Sequence, residues 1–295
     1  MSFVVAVDVG GTSIKAARVS AAGELAHAAQ VATPVADGPD AVVDAIRALV
    51  RSLADGAAAV GVVVPGVVDV AAGVARYAAN LGWRDVPLAQ LLAGDTGLPV
   101  ALEHDVRAAG IAERRVGRLA GAGDALVLVI GTGIAGVVIA RGDAVRGAID
   151  LAGEIGHVPV YPDGERCACG QRGCLETYAS AGAIARRYAA RTGTTRSAED
   201  IVARLANDAD ATAVWGEAVT ALGLALATYT LLLDPAVIVL SGGLAGAGAV
   251  LRDGVVTALA ERLLWRPVPP VELSPLAGRA GLRGAALLAW DLATG

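Results

Sequence analysis

The chain has three cysteines, all within the run Cys167-Ala168-Cys169-Gly170-Gln171-Arg172-Gly173-Cys174. The spacing Cys-x-Cys-x4-Cys supplies three sulfurs. His157, ten residues upstream in Glu154-Ile155-Gly156-His157, adds an imidazole. Together they make the closed tetrahedral Cys₃His set of a structural zinc site. A redox pair is more often Cys-x-x-Cys, which does not occur here. Glycines at 170 and 173 allow so short a loop to wrap a metal.

A second chemical candidate is the carboxylate in Leu102-Glu103-His104-Asp105-Val106-Arg107. Asp105 stands where a helix should begin, a position that Asp favours as a cap. It is also placed to act as a general base that takes a proton from a substrate hydroxyl attacking phosphorus, a role that contributes on the order of 10²–10⁴-fold. The two readings are compatible. Three strand ends run into glycine turns: Asp8-Val9-Gly10-Gly11-Thr12, Gly131-Thr132-Gly133 and Ser241-Gly242-Gly243. Each can be a plain tight turn. Each can equally expose N–H groups to phosphate oxygens, with Thr12 and Thr132 adding hydroxyls, Lys15 a positive charge and Asp8 a carboxylate for Mg²⁺. Neither GxGxxG nor GxxxxGK[ST] occurs in the required context. The three turns together therefore point to a nucleotide held between two lobes by some other arrangement.

Positioning these groups requires strands and helices in alternation. Residues 3–9 and 14–19 read as a hairpin, 39–53 as an amphipathic helix, 59–64 as a buried strand and 105–116 as a helix. After a Gly-rich break at 117–123 the hairpin pattern returns at 126–130 and 136–140. A long apolar helix over about 212–233, a strand at 237–240 and a helix at 282–292 follow. This is an α/β pattern of two lobes. The expected division is residues 1–118 plus the helix 280–295, and residues 119–279 carrying the zinc site.

Hydrophobic residues make up 55% of the chain, many of them alanine, and the formal net charge is −5. No Lys/Arg block gives a nucleic-acid footprint. The uncharged run 218–233 falls short of the roughly 20 residues of a membrane span, so a core helix is expected. The N-terminus enters a strand with no basic leader, and three cysteines suit no secreted disulfide framework. A cytoplasmic chain binding neither membrane nor nucleic acid is expected.

Taken together, these residues resemble the ROK family (repressor, open reading frame, kinase), within the two-lobed actin-like, ribonuclease H-like ATPase fold with mixed sheets and an interlobe cleft. Cys-x-Cys-Gly-x-x-Gly-Cys-x-Glu matches residues 167–176, and Glu-x-Gly-His matches 154–157. Asp8 to Lys15 and Gly131 to Gly133 match the phosphate motifs, and Asp234-Pro235 through Gly243 the adenosine-side segment. Pro65-Gly66 with Asp69, and Asn80-Leu81-Gly82-Trp83, look like the sugar-side loops.

The resemblance implies an ATP-dependent sugar kinase acting on the 6-hydroxyl of a hexose. Glucose is the leading substrate, with N-acetylglucosamine or N-acetylmannosamine as the alternative. Asp105 would be the base, and Gly66, Asn80, His104, Glu154, His157 and Glu176 would line the sugar site. Asp8, Gly10, Gly11, Thr12, Lys15, Gly131, Thr132, Gly133, Gly242 and Gly243 would hold ATP and Mg²⁺. His157, Cys167, Cys169 and Cys174 would hold structural Zn²⁺, the imidazole using one nitrogen for the metal and the other for a sugar hydroxyl. A homodimer or homotetramer is implied. The repressors of the family carry an extra N-terminal DNA-binding segment, for which Asp8 leaves no room in this sequence. A sugar-binding regulator without turnover is the remaining alternative, and the retained Asp8, Lys15 and Asp105 argue against it. Two positions depart from the family: His104 and Arg107 stand where asparagines are usual. Ala135 is a milder change.

Overall fold

A computed structural model describes residues 2–276 and 278–295. The chain forms two compact units. One comprises the residues up to Ala112, Gly147–Leu151 and Arg279–Gly295; the other comprises Glu113–Arg146 and Ala152–Gly278.

The first unit opens with strands β1 (Phe3–Val9), β2 (Ser13–Ser20) and β3 (Leu25–Ala32). Helix α1 (Pro39–Leu53) starts on a proline in its first turn, where the missing N–H costs nothing, and buries Val42, Val43, Ile46, Val50 and Leu53 on one face. Strand β4 (Val60–Val64) is buried along its whole length, as a central parallel strand must be. Strands β5 (Val67–Asp69), β6 (Val74–Ala78) and β7 (Trp83–Val86) make a small antiparallel sheet. Helix α2 (Leu88–Thr96), strand β8 (Val100–His104) and helix α3 (Asp105–Val116) follow. The main sheet has the order β3-β2-β1-β4-β8, antiparallel across β3-β2-β1 and parallel across β1-β4-β8.

The second unit repeats this plan. Strands β9 (Ala125–Ile130), β10 (Ile134–Ala140) and β11 (Asp143–Ala144) form a meander. Helices α4 (Glu176–Ala179), α5 (Ala181–Thr192), α6 (Ala198–Val202) and α7 (Ala209–Leu233) come next, then β12 (Val237–Ser241), α8 (Ala249–Ala260) and β13 (Val271–Leu273). The sheet order is β11-β10-β9-β12-β13, with β9, β12 and β13 parallel. Helix α7 is long and apolar enough by length and composition to cross a membrane. It is a core helix: Val214, Trp215, Leu222 and Leu226 are buried in the main cluster of this unit.

The chain returns to the first unit as α9 (Ala280–Thr294), which packs on β1, β4 and β8. Its small residues permit close contact. A Cβ on Gly284 would strike the Ala108 backbone of α3, and one on Gly61 of β4 would strike the Ala285 carbonyl.

Candidate active site and metal centre

In the first unit the β1–β2 hairpin brings charge to its tip. Asp8 and Lys15 are direct cross-strand partners. The tip is closed by Gly10 N–H donating to the Ser13 carbonyl (2.9 Å), while the Thr33 hydroxyl donates to the Gly10 carbonyl (2.6 Å). Asp8 keeps a little accessible surface but is otherwise surrounded by protein. That burial, reinforced by the Asp105 carboxylate and opposed by Lys15, pushes its pKa up to about 6. A Cβ on Gly281, in the first turn of α9, would lie 2.9 Å from Asp8 Oδ2, so the carboxylate sits against that helix start.

Asp105 is the first residue of α3, and its Oδ1 accepts the Val106 N–H at 2.7 Å. The side chain thus serves the helix start. His104 Nε2 lies 3.4 Å from the same oxygen. On either side in sequence, Glu103 and Arg107 form a buried ion pair at 2.9 Å, 3% and 5% exposed, and Arg107 also donates to the Asp150 carbonyl at 3.0 Å. Nothing in the residue types alone pairs Glu103 with Arg107, although their i, i+4 spacing is the available signal. Asn80 reaches the glycine tip: its Nδ2 is 3.0 Å from where a Gly11 Cβ would stand. Gly66 has φ +93° and packs on the Tyr77 carbonyl, a backbone shape and a space that only glycine tolerates.

In the second unit the Gly131-Thr132-Gly133 tip is fastened through its backbone. Gly131 N–H donates to the Gly133 carbonyl (2.9 Å), and Ala181 N–H donates to the Gly131 carbonyl (2.8 Å). Glu176 Oε2 accepts the Ile134 N–H at 2.8 Å, so this carboxylate, expected on the sugar side, also holds the glycine tip. Gly242 has φ +84° and lies on the end of β9, where a Cβ would be 2.5 Å from the Ile130 carbonyl. The second and third glycine turns are therefore neighbours. Beside them is a cavity of about 370 Å³ lined by Ala181, Ser197, Glu199, Val202, Gly243 and Leu244 among others. That volume falls in the range of roughly 300–1,000 Å³ usual for small-molecule sites. Ala181 belongs to both the cavity wall and the glycine tip. Of the expected cofactor residues only Gly243 lines the cavity. The wall contributed by α6 has a sequence signal for its start, the capping pair Ser197 and Asp200, but none for the direction it faces.

The cysteine loop assembles as its spacing requires. The donor atoms of His157, Cys167, Cys169 and Cys174 all lie within 4.8 Å of one another. His157 Nδ1 is 3.8 Å from Cys167 Sγ, and Cys169 Sγ is 3.7 Å from Cys174 Sγ. A tetrahedron with Zn–S bonds of about 2.3 Å has sulfur–sulfur edges of about 3.8 Å, so the donor set fits zinc. Burial, then hydrogen bonds to the other two thiols, pushes the Cys174 thiol up to about 12, as expected for a sulfur whose thiolate needs a cation. The other imidazole nitrogen, Nε2, faces Glu154 Oε2 at 3.9 Å, which turns the ring's second edge toward the other expected sugar ligand of that loop.

Two meander sheets of one order, each tipped by a glycine turn, with a carboxylate at a helix start and a Cys₃His cluster, define an α/β protein of the actin-like ATPase fold. The chain belongs to the ROK family, whose pattern matches residues 4–291. It is 32% identical to a glucokinase of Streptomyces coelicolor, with 98% of both chains covered. Its structure is similar to that of a ROK family glucokinase from Streptomyces griseus crystallised with glucose and AMPPNP. There the TM-score is 0.88 at 33% identity, covering 98% of this chain and 99% of the other. An N-acetylmannosamine kinase of Citrobacter koseri is 35% identical over 61% of this chain and 62% of its own length.

Proposed function

We propose that the chain is an ATP-dependent glucose kinase that transfers the γ-phosphate of ATP to the 6-hydroxyl of glucose. The observation that carries this reading is 32–33% identity to glucokinases along 98% of the chain, against 26% identity to a putative N-acetylmannosamine kinase of Listeria monocytogenes over the same share.

The residues divide the work as follows. Asp105 accepts the proton of the attacking hydroxyl while that oxygen bonds to the γ-phosphorus and ADP leaves with the bridging oxygen's electrons. The tip Gly10-Gly11-Thr12 with Lys15, and the tip Gly131-Thr132-Gly133, hold phosphate oxygens through backbone N–H groups, hydroxyls and the ammonium. The cavity beside Gly243 takes the nucleoside. Gly66, Asn80, Glu154, His157 and Glu176 face the sugar, His104 stands against Asp105, and Glu176 Oε2 keeps its bond to the glycine tip. Asp8 suits Mg²⁺: burial first, then the neighbouring Asp105 carboxylate, pushes its pKa up to about 6 against the opposing charge of Lys15, so its carboxylate is one that a cation would stabilise. When bound, Mg²⁺ neutralises phosphate charge. Cys167, Cys169, Cys174 and His157 Nδ1 would hold zinc, which would fix the orientation of the imidazole. ATP as donor and three cysteines outside any disulfide suit the cytoplasm. The resemblance to the family supports a homodimer or homotetramer.

An ADP-release assay of the purified protein against a sugar panel tests this reading. Glucose should be turned over with the highest kcat/KM. Faster turnover of N-acetylmannosamine or N-acetylglucosamine would reassign the substrate, and sugar binding with no turnover of any sugar would refute a kinase.

A further inference from the structure

His104 stands where the family usually has asparagine, and the structure gives it a contact of its own. Glu103 Oε1 accepts the His104 N–H at 2.8 Å and the Arg107 Nε–H at 2.9 Å. Arg107 in turn donates to the Asp150 carbonyl. The backbone at the β8–α3 junction is thus clamped by a buried ion pair before the base appears. From that fixed point the imidazole, 15% exposed, brings Nε2 to 3.4 Å from Asp105 Oδ1, the oxygen that already takes the Val106 N–H.

We propose that His104 is a positioning residue for the base: its Nε2 and the Val106 N–H together hold Oδ1 and so fix the plane of the Asp105 carboxylate. The terminal torsion of an aspartate is broad and roughly two-fold, so a single backbone hydrogen bond leaves the carboxylate plane free to rock. A second donor on the same oxygen restrains it. Misplacement of a reacting group by about 1 Å can cost on the order of 100-fold in rate, which is the leverage such a restraint has. Asp8 is packed near enough to raise its own pKa through Asp105, so a rocking Asp105 would also vary the repulsion between the two carboxylates.

The assignment rests on the kinase reading above, and the test separates the two. The full-length protein is assayed with glucose and ATP as wild type, His104→Leu and His104→Gln. Glutamine carries its amide nitrogen the same number of bonds from Cβ as Nε2 of histidine, so it can reach Oδ1; leucine has no donor. The expected result is a fall in kcat of about 10- to 100-fold in His104→Leu with KM for glucose within about threefold of wild type, and recovery to within about threefold of wild-type kcat in His104→Gln. A leucine variant with raised glucose KM and unchanged kcat would make His104 a sugar contact and overturn the assignment. Equal loss in both variants would overturn it as well, since a packing role would not distinguish them by their donor. A wild-type protein that phosphorylates no sugar would instead refute the kinase reading. Melting temperatures of the three proteins identify any variant that has lost its fold; His104→Met, which also has no donor, then replaces the leucine variant, and His104→Asn the glutamine variant, in the same comparison.

Discussion

The β1–β2 and β9–β10 tips are built by the same device, an antiparallel hairpin closed by glycines on the central strand of a five-stranded sheet, yet only the first carries charge. Asp8 stands two residues before Gly10, and Lys15 five after it. The matching places around Gly131 hold Val129 and Gly136. The first tip has Lys15 directly across the hairpin from Asp8 and a carboxylate neighbour in Asp105. The second is held by its backbone, with Glu176 on Ile134 and Ala181 on Gly131, and opens beside a cavity. On the proposed function, one supersecondary unit used twice would serve as a reacting end and a binding end. The difference lies in which side chains flank the glycines, not in the glycines themselves.

The largest break in this comparison should come from Asp105. Asp105→Asn keeps an oxygen to accept the Val106 N–H, so the helix start and melting temperature should survive. Steady-state kinetics should show kcat lower by about 10²–10⁴-fold with ATP binding unchanged. A variant with wild-type kcat would remove Asp105 as the base and with it the reacting character of the first unit.

Asp8 should report the same asymmetry through stability. Its carboxyl pKa is about 6 in the folded protein against 3.8 in the unfolded reference, so the folded state binds that proton more tightly. Its contribution therefore grows unfavourable as pH rises from about 4 to 6, is fully unfavourable above 6, and vanishes below 4. The difference of about two pH units corresponds to at most about 3 kcal/mol. Asp8→Asn should raise the stability of the ligand-free protein at pH 7.5, with little gain at pH 4, in urea titrations compared at the two pH values. An equal difference at both would show that Asp8 is not strained by its surroundings. No residue of the second tip has a matching role, because Val129 cannot titrate.

Much of this architecture is legible in the order of residues alone. The strands at 3–9 and 126–130 and the helices at 39–53 and 105–116 follow from unbroken apolar runs and 3.6-residue periodicity, signals that burial on one face enforces. The Cys₃His cluster is legible because so tight a spacing leaves a short loop few other arrangements, and the fold brings all four donors together. What is not legible depends on tertiary placement. The small sheet β5-β6-β7 has strands of three to five residues, too short for period-two alternation to stand out. Strand β8 ends in Glu103 and His104, so its apolar run is cut short before a strand pattern can develop. The return of Gly147–Leu151 to the first unit rests on Arg107 reaching a backbone carbonyl, an event no local pattern encodes. Glu176 on the second glycine tip and the α6 wall of the cavity are likewise contacts between distant segments.

The metal cluster sharpens the comparison at the next level down, since it belongs wholly to the second unit. Cys174→Ser should lower zinc content from about one per chain, measured by atomic emission. It should also weaken glucose handling about 10- to 100-fold, the usual consequence of disturbing what orients a site ligand, here His157. ATP affinity should change far less, because the glycine tip is held by Glu176 and Ala181 rather than by the thiols. Zinc-free protein with unaltered sugar kinetics would show that His157 needs no metal to orient it.

The finest test sets one methyl group against each tip. In Gly281→Ala the new Cβ would lie 2.9 Å from Asp8 Oδ2; in Gly133→Ala it would lie 2.5 Å from Glu176 Oε2. Neither glycine has a positive φ, so neither substitution strains its own backbone, and alanine is the better helix former at 281. Both effects must therefore pass through the displaced carboxylate. At the charged tip the displaced group is the proposed Mg²⁺ ligand, and kcat should fall about tenfold with KM for ATP little changed. At the backbone tip the displaced group is the anchor of the Ile134 N–H, and losing one such hydrogen bond, worth on the order of 1 kcal/mol, should raise KM for ATP about fivefold with kcat nearly kept. The two variants thus predict opposite kinetic signatures from the same chemical change. If both moved kcat alone, or both KM alone, the division into a reacting tip and a binding tip would fail, and the charge difference between the hairpins would need another explanation.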